Sequence, residues 1–424
     1  MSEESSGLKK QLQMGLGTLM SRVLGLFRDI LMLLLFPVGV TDAWVTAFKL
    51  PHLWRRLWSE GGVSIALGSS KETNRDGLRT WVSVFVFGLV VLGFTFAPQW
   101  ISFLRPADST SLESFDFQRA VLFFRIMVFF LLTNALYALL SAEIHGLGDF
   151  KSPAWGMVIF NVLLIAFLFM PTTWSSIEGI GMALGVLFGG LAQLGYVYWQ
   201  FKKKNLKIKF NFSVSKKVLQ SFKKLGFSFV GLNGFGIMNL FNIYHLGTLG
   251  PGLITAFYLI ERMLEFPLSL ISNSSSTVSA AGGFLVHGNK SKTELWKVYR
   301  KEIYRSTLWI LPFVLGSLWG SGFIIPILFQ HGAIEDSKIL DLIHILKWSS
   351  GVLLLAHLHR MVGTFAFAIQ EESKFSLWVL LGSFSHFFLC FILVPRWGIE
   401  GLLLSQTLTL GGIQGLFLLK ILRN

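Results

Sequence analysis

Residues 80–102 read TWVSVFVFGLVVLGFTFAPQWIS, an apolar run that contains no charged side chain. A helix needs about 20 such residues to cross the roughly 30 Å of hydrocarbon in a bilayer. Comparable runs recur along the whole chain of 424 residues, of which 53% are hydrophobic and 14% charged. Backbone polar groups in a bilayer must be satisfied within their own segment, which favours helices over open sheets. The sequence therefore predicts an all-α polytopic membrane protein.

Hydropathy predicts about twelve transmembrane helices. They lie near residues 11–36, 43–68, 80–102, 118–145, 153–171, 177–200, 224–248, 252–285, 304–330, 339–369, 374–394 and 398–421. The second span is interrupted by charged residues, among them Lys49 and Arg55. It is included because the loop charges on either side of it require an odd number of crossings.

Lysine and arginine collect in alternate loops, and this distribution predicts the orientation of the chain. The longest basic loop, residues 201–224, contains nine lysines and no acid, whereas residues 171–178 and 247–252 contain no basic residue. The pattern predicts that both termini lie in the cytoplasm. The formal net charge of +14 arises largely from these loops. We therefore expect the basic residues to meet membrane lipids and expect no nucleic-acid partner.

The lysine-rich loop divides the sequence into two halves of about six spans each. We expect an N-terminal lobe at 1–200, a basic cytoplasmic linker at 201–223 and a C-terminal lobe at 224–424. Apolar residues recur at helical spacing in the linker region, at Val214, Val218, Leu219, Phe222 and Leu225. This spacing predicts a short amphipathic helix on the inner membrane surface, and a solvated linker is the alternative. Two halves joined in this way suggest a transporter with a central cavity.

Ionisable residues inside apolar spans are the strongest indication of a functional site. An arginine at the bilayer centre costs about 2.5–3.5 kcal/mol, so such residues normally face the bundle interior or a water-filled cavity. The residues are Arg22, Arg28 and Asp29 in the first span, Asp42, Lys49, His52, Arg55, Arg56 and Glu60 at the second, and Glu261, Arg262 and Glu265 in the eighth.

Two interpretations of these charges remain open. They are internal salt bridges, such as Arg28 with Asp29 or Arg56 with Glu60, or some arginines line a cavity and bind an anion. The planar guanidinium group binds phosphate and carboxylate through paired hydrogen bonds, which favours the second interpretation. A substrate that contains a pyrophosphate would fit several such groups.

Catalysis has little support in the sequence, which contains neither a phosphate-binding glycine loop followed by lysine nor a zinc-protease helix motif. We expect no cofactor and no metal site. His357 and His359 are two residues apart and do not share a helical face, so we expect a packed or cavity-lining role for them rather than metal ligation. His245 and His386 are predicted to be core residues with local hydrogen bonds. The seventh and eleventh spans contain no acid, and no sodium site is predicted.

Five motifs contain most of the charged residues named above. They are residues 21–29 (SRVLGLFRD), 41–43 (TDA), 47–61 (AFKLPHLWRRLWSEG), 261–267 (ERMLEFP) and 328–332 (LFQHG). Together they resemble the signature of the MurJ (MviN) family of lipid II flippases. The first block is long and specific, and the resemblance extends along most of the chain.

The resemblance implies the multidrug, oligosaccharidyl-lipid and polysaccharide exporter fold, with two six-helix lobes around a central cavity. It implies that the substrate is lipid II, an undecaprenyl-pyrophosphate-linked disaccharide-pentapeptide. The family moves this substrate from the inner to the outer leaflet of the bacterial cytoplasmic membrane by alternating access. Family members usually have fourteen helices, whereas hydropathy predicts about twelve in this chain.

The resemblance also implies roles for individual residues. Substrate-binding roles are implied for Arg22, Arg28, Arg55 and Arg262, and gating or charge-pairing roles for Asp29, Asp42, Arg56, Glu60, Glu261 and Glu265. Three alternatives are an exporter of another polyprenyl-linked saccharide, a cation-coupled drug antiporter on the same fold, and a membrane scaffold without transport activity. An antiporter for organic cations would favour acids over arginines in its cavity, which argues against that alternative.

Overall fold

The structure is a computed structural model that describes residues 2–59, 75–104, 117–147, 149, 151–171, 175–250, 252–272, 275–276, 292–329 and 336–423. At some of these positions, including Arg56, only the backbone is described. The described residues form helices joined by short connections, and no strand occurs among them. The predicted all-α fold is confirmed.

The first of two compact units comprises Met1–Phe103 and Glu113–Lys223. Its helices are α1 (Ser2–Leu35), α2 (Val38–Ser59), α3 (Arg75–Thr95), α4 (Ala97–Leu104), α5 (Phe117–Met127), α6 (Phe130–Gly146), α7 (Lys151–Leu168) and α8 (Ile180–Lys203). Helix α1 ends just before Pro37, which has no backbone N–H for the helical ladder. The carbonyl oxygen of Pro37 then accepts hydrogen bonds from the backbone nitrogens of Val40 and Thr41, and α2 begins there.

Small residues allow helices α7 and α8 to pack closely. A Cβ atom at Gly181 would lie 2.2 Å from the carbonyl oxygen of Phe167, and one at Gly185 would lie 3.0 Å from the Cβ of the same residue. Only glycine fits at such a distance, and small residues are typical of helix contacts in membranes. The α7–α8 hairpin therefore gives this unit a close-packed centre.

The second unit comprises Leu104–Leu112 and Lys224–Asn424. The helices that follow α8 are α9 (Lys216–Leu232), α10 (Gly234–Leu249), α11 (Leu253–Pro267), α12 (Lys292–Trp319), α13 (Ser321–Phe329), α14 (Asp336–Ala368) and α15 (Glu372–Arg423). Helix α11 continues as a single π-helical turn, Leu268–Ser272. The predicted span at 304–330 is broken, because α12 and α13 meet near Gly320 at an angle of 79°.

Helix α15 is a hairpin of two antiparallel spans. Gly398 has φ 55° and ψ −134°, which is not a helical conformation. Nδ1 of His386 lies 3.0 Å from Oγ of Ser405. In an uninterrupted helix these residues would be about 28 Å apart along the axis. The chain therefore reverses at Gly398, between the spans predicted at 374–394 and 398–421.

The number of helices is roughly consistent with the twelve transmembrane helices predicted. Among the described residues, six helices are long and apolar enough to cross a membrane, or seven if α12 and α13 form one span. This number counts the α15 hairpin once, as Glu372–Ile421. The charged helices α1 and α2 and the short helix α11 lie outside the set.

The linker region contains a non-helical segment followed by a helix. Residues 206–215 are neither helix nor strand, and α9 then runs from Lys216 to Leu232 without a break. Oγ of Ser215 accepts a hydrogen bond from the backbone nitrogen of Val218, so Ser215 caps the start of this helix. On this helix Val218 is buried and Leu219 is exposed, and the position of the helix on the inner membrane surface stays a prediction.

Candidate functional site

Arg28 near the end of α1 is only 2% exposed and is held by two side chains. Its Nε donates a hydrogen bond to Oδ1 of Asp29 at 2.8 Å. Its Nη1 donates to Oδ1 of Asn161 on α7 at 3.4 Å. The amide nitrogen of Asn161 in turn donates to the carbonyl oxygen and the hydroxyl of Ser21, both at 3.0 Å. A carboxylate and an oriented amide therefore fix the guanidinium group, and the predicted pair of Arg28 with Asp29 is present.

Helix α2 presents a row of rings beside this arginine. Trp44 stacks on Phe48 with ring centroids 4.6 Å apart, and Phe48 lies 5.7 Å from the ring of His52. The residues are spaced four apart, so they lie on one helical face. Cζ of Arg28 lies 5.9 Å from the Trp44 ring, within the range of a cation–π contact. Aromatic rings thus form one side of the arginine's environment.

Five further charged or titratable residues of α1 and α2 are also inside the fold. Asp42 and Lys49 are both buried, as is His52. Arg22 and Arg55 are partly buried. All five side chains have interaction partners. A buried charge is tolerated only when it is paired or hydrogen-bonded, so this burial matches a set of interacting polar groups.

Helix α7 brings two predicted arginines together. Arg28 contacts Asn161 through Nη1, and Cζ of Arg55 lies 5.7 Å from the ring centroid of Phe160. Phe160 and Asn161 are adjacent and both buried. Sequence reasoning missed these two residues. The signal that could have identified one of them is a single asparagine in the middle of an otherwise apolar span.

Arg262 of α11 is also held by side chains of its own helix. Its Nη1 donates a hydrogen bond to Oε2 of Glu265 at 2.7 Å. Its Nε and Nη2 donate to the hydroxyl oxygen of Tyr258 at 3.0 and 2.9 Å. The side chain of Arg262 is 9% exposed. Glu261 points to other partners, because its Oε1 accepts a hydrogen bond from Nδ2 of Asn239 at 2.7 Å.

A buried polar network continues from Asn239 across the second unit. Nε2 of Gln406 donates to Oδ1 of Asn239 at 2.6 Å, and Nδ2 of Asn242 donates to Oε1 of Gln406 at 3.2 Å. Nε2 of His386 lies 2.7 Å from Oδ1 of Asn242. These four side chains are fully buried. The sequence predicted a buried His386, but its partners lie on α10 and on the second half of α15.

The two histidines of α14 face different neighbours. Nδ1 of His357 lies 2.8 Å from Oγ of Ser272, and its Nε2 lies 3.2 Å from Oγ of Ser306. Nε2 of His359 lies 3.0 Å from the carbonyl oxygen of Gly231. The prediction that these histidines do not share a helical face is confirmed, and both are buried among hydrogen-bonding partners.

Some predicted residues lie outside the described part of the chain. The side chains of Arg56 and Glu60 are in this group, as are residues 330–332 of the motif LFQHG. The predicted pair of Arg56 with Glu60 therefore stays a prediction. The described geometry connects Arg28 and Arg55 through α7 and, within the second unit, Arg262 with Glu265.

The fold of this polytopic helical chain matches solved structures of membrane transporters with the exporter fold described above. The fold is similar to that of a lipid II flippase MurJ in an inward closed conformation, with a TM-score of 0.78 and 22% identity over 97% of this chain and 88% of that chain. It is also similar to an inward-facing multidrug resistance MATE family transporter of the MOP superfamily, with a TM-score of 0.69 and 18% identity over 96% of this chain and 93% of that one.

The family model described as "Lipid II flippase MurJ" matches residues 34–424. The probable lipid II flippase MurJ of Bdellovibrio bacteriovorus is 29% identical, over 96% of this chain and 82% of the relative. That of Aquifex aeolicus is 27% identical, over 82% of this chain and 68% of the relative. This chain belongs to the lipid II flippase MurJ family, as the motifs predicted.

Proposed function

We propose that this chain is a flippase that moves lipid II from the inner to the outer leaflet of the bacterial cytoplasmic membrane. Family membership supports the substrate. The observation that carries the proposal in this chain is the position of two arginines against α7. Arg28 contacts Asn161, and Arg55 lies over the ring of the adjacent Phe160. Two guanidinium groups at neighbouring residues of one helix offer several donors to a pyrophosphate.

The proposed binding step exchanges partners at the arginines. Without substrate, Asp29 and Asn161 satisfy Arg28, and Glu265 with Tyr258 satisfies Arg262. These partners keep buried cations charged at an acceptable desolvation cost. A pyrophosphate supplies equivalent acceptor oxygens and takes over some of these bonds. The hydrogen bonds between the acids and the arginines then break when substrate binds and form again when it leaves.

The proposal assigns roles to the remaining motif residues. Arg22, Arg28, Arg55 and Arg262 bind the anionic headgroup, while Asp29, Asp42, Arg56, Glu60, Glu261 and Glu265 pair with or gate these arginines. Alternating access carries the headgroup across while the undecaprenyl tail stays in lipid. Both termini lie in the cytoplasm. The proposed organisation is an N-terminal lobe at 1–200, a basic linker at 201–223 and a C-terminal lobe at 224–424.

The test is complementation in a bacterium depleted of its own lipid II flippase, with outer-face lipid II as the readout. Wild type should restore outer-face lipid II, and Arg28→Ala, Arg55→Ala and Arg262→Ala should not. Arg28→Lys keeps the charge but loses the paired donors, and it should fall between the two. The control is Arg119→Ala, which removes an arginine paired with Glu178 at 3.7 Å outside the proposed site.

All variants are compared at matched membrane levels. Loss of function in Arg119→Ala as well would show that any arginine loss impairs the protein, and the arginine assignment would fail. Well-inserted wild type that leaves outer-face lipid II at the depleted level would exclude lipid II as the substrate. Another polyprenyl-linked saccharide would then be the next candidate, and export of that compound would be measured in the same cells.

A further inference from the structure

The first unit contains an apolar cleft of about 650 Å³ away from the motif residues. Helices α3, α6 and α8 form three of its walls, and residues of the 206–215 segment form the fourth. Residues that line it include Phe87, Leu136, Leu191, Gly195, Ile208 and Phe210. Phe87, Leu191 and Phe210 are exposed, and Phe210 is 74% exposed. In a membrane-spanning unit, a cleft with exposed apolar rims opens to lipid chains.

The fourth wall alternates apolar and basic residues. Ile208 and Phe210 line the cleft, whereas Lys207 and Lys209 are exposed beside them. The backbone nitrogen of Asn211 donates a hydrogen bond to Oγ1 of Thr80 at 2.9 Å. This bond fixes the segment at the first turns of α3. The chain thus places lysines at the mouth of an apolar cleft.

Aromatic residues and further lysines surround the same end of the cleft. Tyr198 lines it, with Nζ of Lys202 5.5 Å from the Tyr198 ring. Nζ of Lys203 lies 3.7 Å from the ring of Trp199. Aromatic rings next to lysines at the end of a span are typical of the membrane–water interface. The mouth of the cleft therefore lies at the level of lipid headgroups.

A buried arginine adds a second indication of an anionic ligand. Arg79 lines the cleft, is 4% exposed and is next to Thr80, which binds the linker. Its Nη2 donates to Glu143 and its Nη1 lies 3.5 Å from Oδ1 of Asp76, whereas Nε has no hydrogen-bond partner in the described part of the chain. A buried donor without a partner costs about 1–3 kcal/mol, which an anionic oxygen would offset.

We propose that this cleft binds one acyl chain of an anionic glycerophospholipid, with the lipid phosphate near Arg79, Lys203, Lys207 and Lys209. The apolar walls match the acyl chain, and the lysines match the headgroup charge. This lipid site is separate from the arginines of α1, α2 and α11. It would attach the linker between α8 and α9 to the anionic headgroups of the membrane.

The test uses photoactivatable lipids in vesicles that contain the purified full-length protein. Phosphatidylglycerol and phosphatidylcholine carry the same diazirine-labelled acyl chain, and labelled peptides are mapped by mass spectrometry. Wild type should label α8 and the linker with phosphatidylglycerol more strongly than with phosphatidylcholine, by about fivefold or more for each lysine involved. Equal labelling by the two lipids would overturn the proposal.

Two sets of substitutions distinguish the contribution of the cleft to lipid binding from that of the lysines. Gly195 lines the cleft and a Cβ there has open space around it, so Gly195→Leu places a side chain in the cleft and should abolish labelling there. The control is Gly88→Leu, at an exposed glycine of α3 that also has open space. Lys207→Gln with Lys209→Gln should remove the preference for the anionic lipid. Unchanged labelling in Gly195→Leu would show that the cleft does not hold a phospholipid chain. Displacement of the phospholipid by undecaprenyl phosphate would also overturn the proposal, because a polyprenyl lipid would then be the preferred occupant.

Discussion

Nη1 of Arg28 lies 3.4 Å from Oδ1 of Asn161, and this contact joins α1 to α7 through two buried side chains. The amide of Asn161 cannot rotate freely, because its nitrogen donates to both oxygens of Ser21. The orientation of one uncharged residue thus sets the direction of a predicted substrate-binding arginine. Asn161 is therefore a positioning residue in the proposed mechanism.

Asn161→Leu should slow the appearance of outer-face lipid II. Removing a hydrogen bond to a charged group costs about 1.5–3 kcal/mol, which corresponds to a change of about tenfold or more. Asn161→Asp keeps oxygen acceptors for Arg28 and should retain more activity. The control is Val162→Leu, at the exposed neighbour on the same helix.

A purely structural role for Asn161 makes a different prediction. Asn161→Leu and Asn161→Asp would then lose activity in proportion to their lost thermal stability, measured as the unfolding midpoint in detergent. Restored activity in the Asp variant at equal or lower stability would support positioning. Equal flipping rates in Asn161→Leu and Val162→Leu would contradict it.

Tyr258→Phe should weaken lipid II binding by the purified protein. The tyrosine hydroxyl accepts hydrogen bonds from Nε and Nη2 of Arg262, and the phenyl ring removes both. Arg262 then keeps its hydrogen bond to Glu265 at 2.7 Å but loses the orientation that Tyr258 gives to Nε and Nη2. The expected loss is about 1 kcal/mol, or about fivefold in affinity. Tyr304→Phe, at an exposed tyrosine of α12, is the control, and equal affinities for the two variants would contradict the prediction.

The sequence predicts the spans and the charged motifs well, because hydropathy and charge are properties of neighbouring residues. It also predicts the reversal in α15, where Pro395 and Gly398 interrupt two apolar runs. It does not predict that Arg28 meets Asn161, since that contact depends on which helices pack together. The polar network around His386 is missed for the same reason.

The linker shows a different limit of sequence patterns. Helical spacing of apolar residues predicts a short amphipathic helix, and the structure has one continuous helix, Lys216–Leu232, whose last residues belong to the predicted seventh span. The preceding residues 206–215 carry alternating lysines and apolar residues in a non-helical segment. The backbone nitrogen of Asn211 in this segment donates a hydrogen bond to Thr80 of α3, a long-range contact that no local pattern indicates.

A double-mutant cycle should reveal coupling between His386 and Asn242, whose Nε2 and Oδ1 atoms are 2.7 Å apart. Each single change to leucine leaves a buried polar group without its partner and should cost about 1–3 kcal/mol of unfolding free energy. The double variant should cost less than the sum, by about 0.6 kcal/mol or more. The stabilities of wild type, the two single variants and the double variant are measured by thermal unfolding in detergent.

The control for this cycle is His344→Leu, at an exposed histidine 3.6 Å from Glu400. It should change the unfolding midpoint little, because exposed pairs contribute about 0–1 kcal/mol. Additive effects of the two buried changes would show that the hydrogen bond does not couple α10 to α15.

Two glycines of α8 should respond in opposite ways to the same substitution. Gly181→Ala places a Cβ atom 2.2 Å from the carbonyl oxygen of Phe167, so α7 and α8 must separate. Gly195→Ala places a Cβ atom in open space and keeps the helix. The first should lower the unfolding free energy by about 1–3 kcal/mol, and the second should leave it unchanged or raise it slightly. Similar unfolding midpoints for both variants would contradict the close packing of α7 on α8.

Asp149 connects the start of α7 to the end of α8, outside the membrane spans. Its Oδ1 accepts a hydrogen bond from the backbone nitrogen of Ser152 at 3.0 Å, as a helix cap does, and its Oδ2 lies 2.9 Å from Nζ of Lys204. Burial raises the pKa of Asp149, but the hydrogen bonds from Ser152 and the contact with Lys204 outweigh it and lower the pKa to about 2.

Because the folded pKa lies below the ordinary value of 3.8, the carboxylate stabilises the folded protein above about pH 4. This contribution is lost as the pH falls from about 4 toward 2, when the unfolded state takes up a proton first. Asp149→Asn keeps a good helix cap and removes the charge, so it should lower stability at about pH 6 by up to about 1 kcal/mol. The difference from wild type in unfolding midpoint should shrink at about pH 3. A difference that is equal at the two pH values would show that ionisation of Asp149 does not contribute, and Asp149→Ala would then separate the loss of the cap from the loss of the charge.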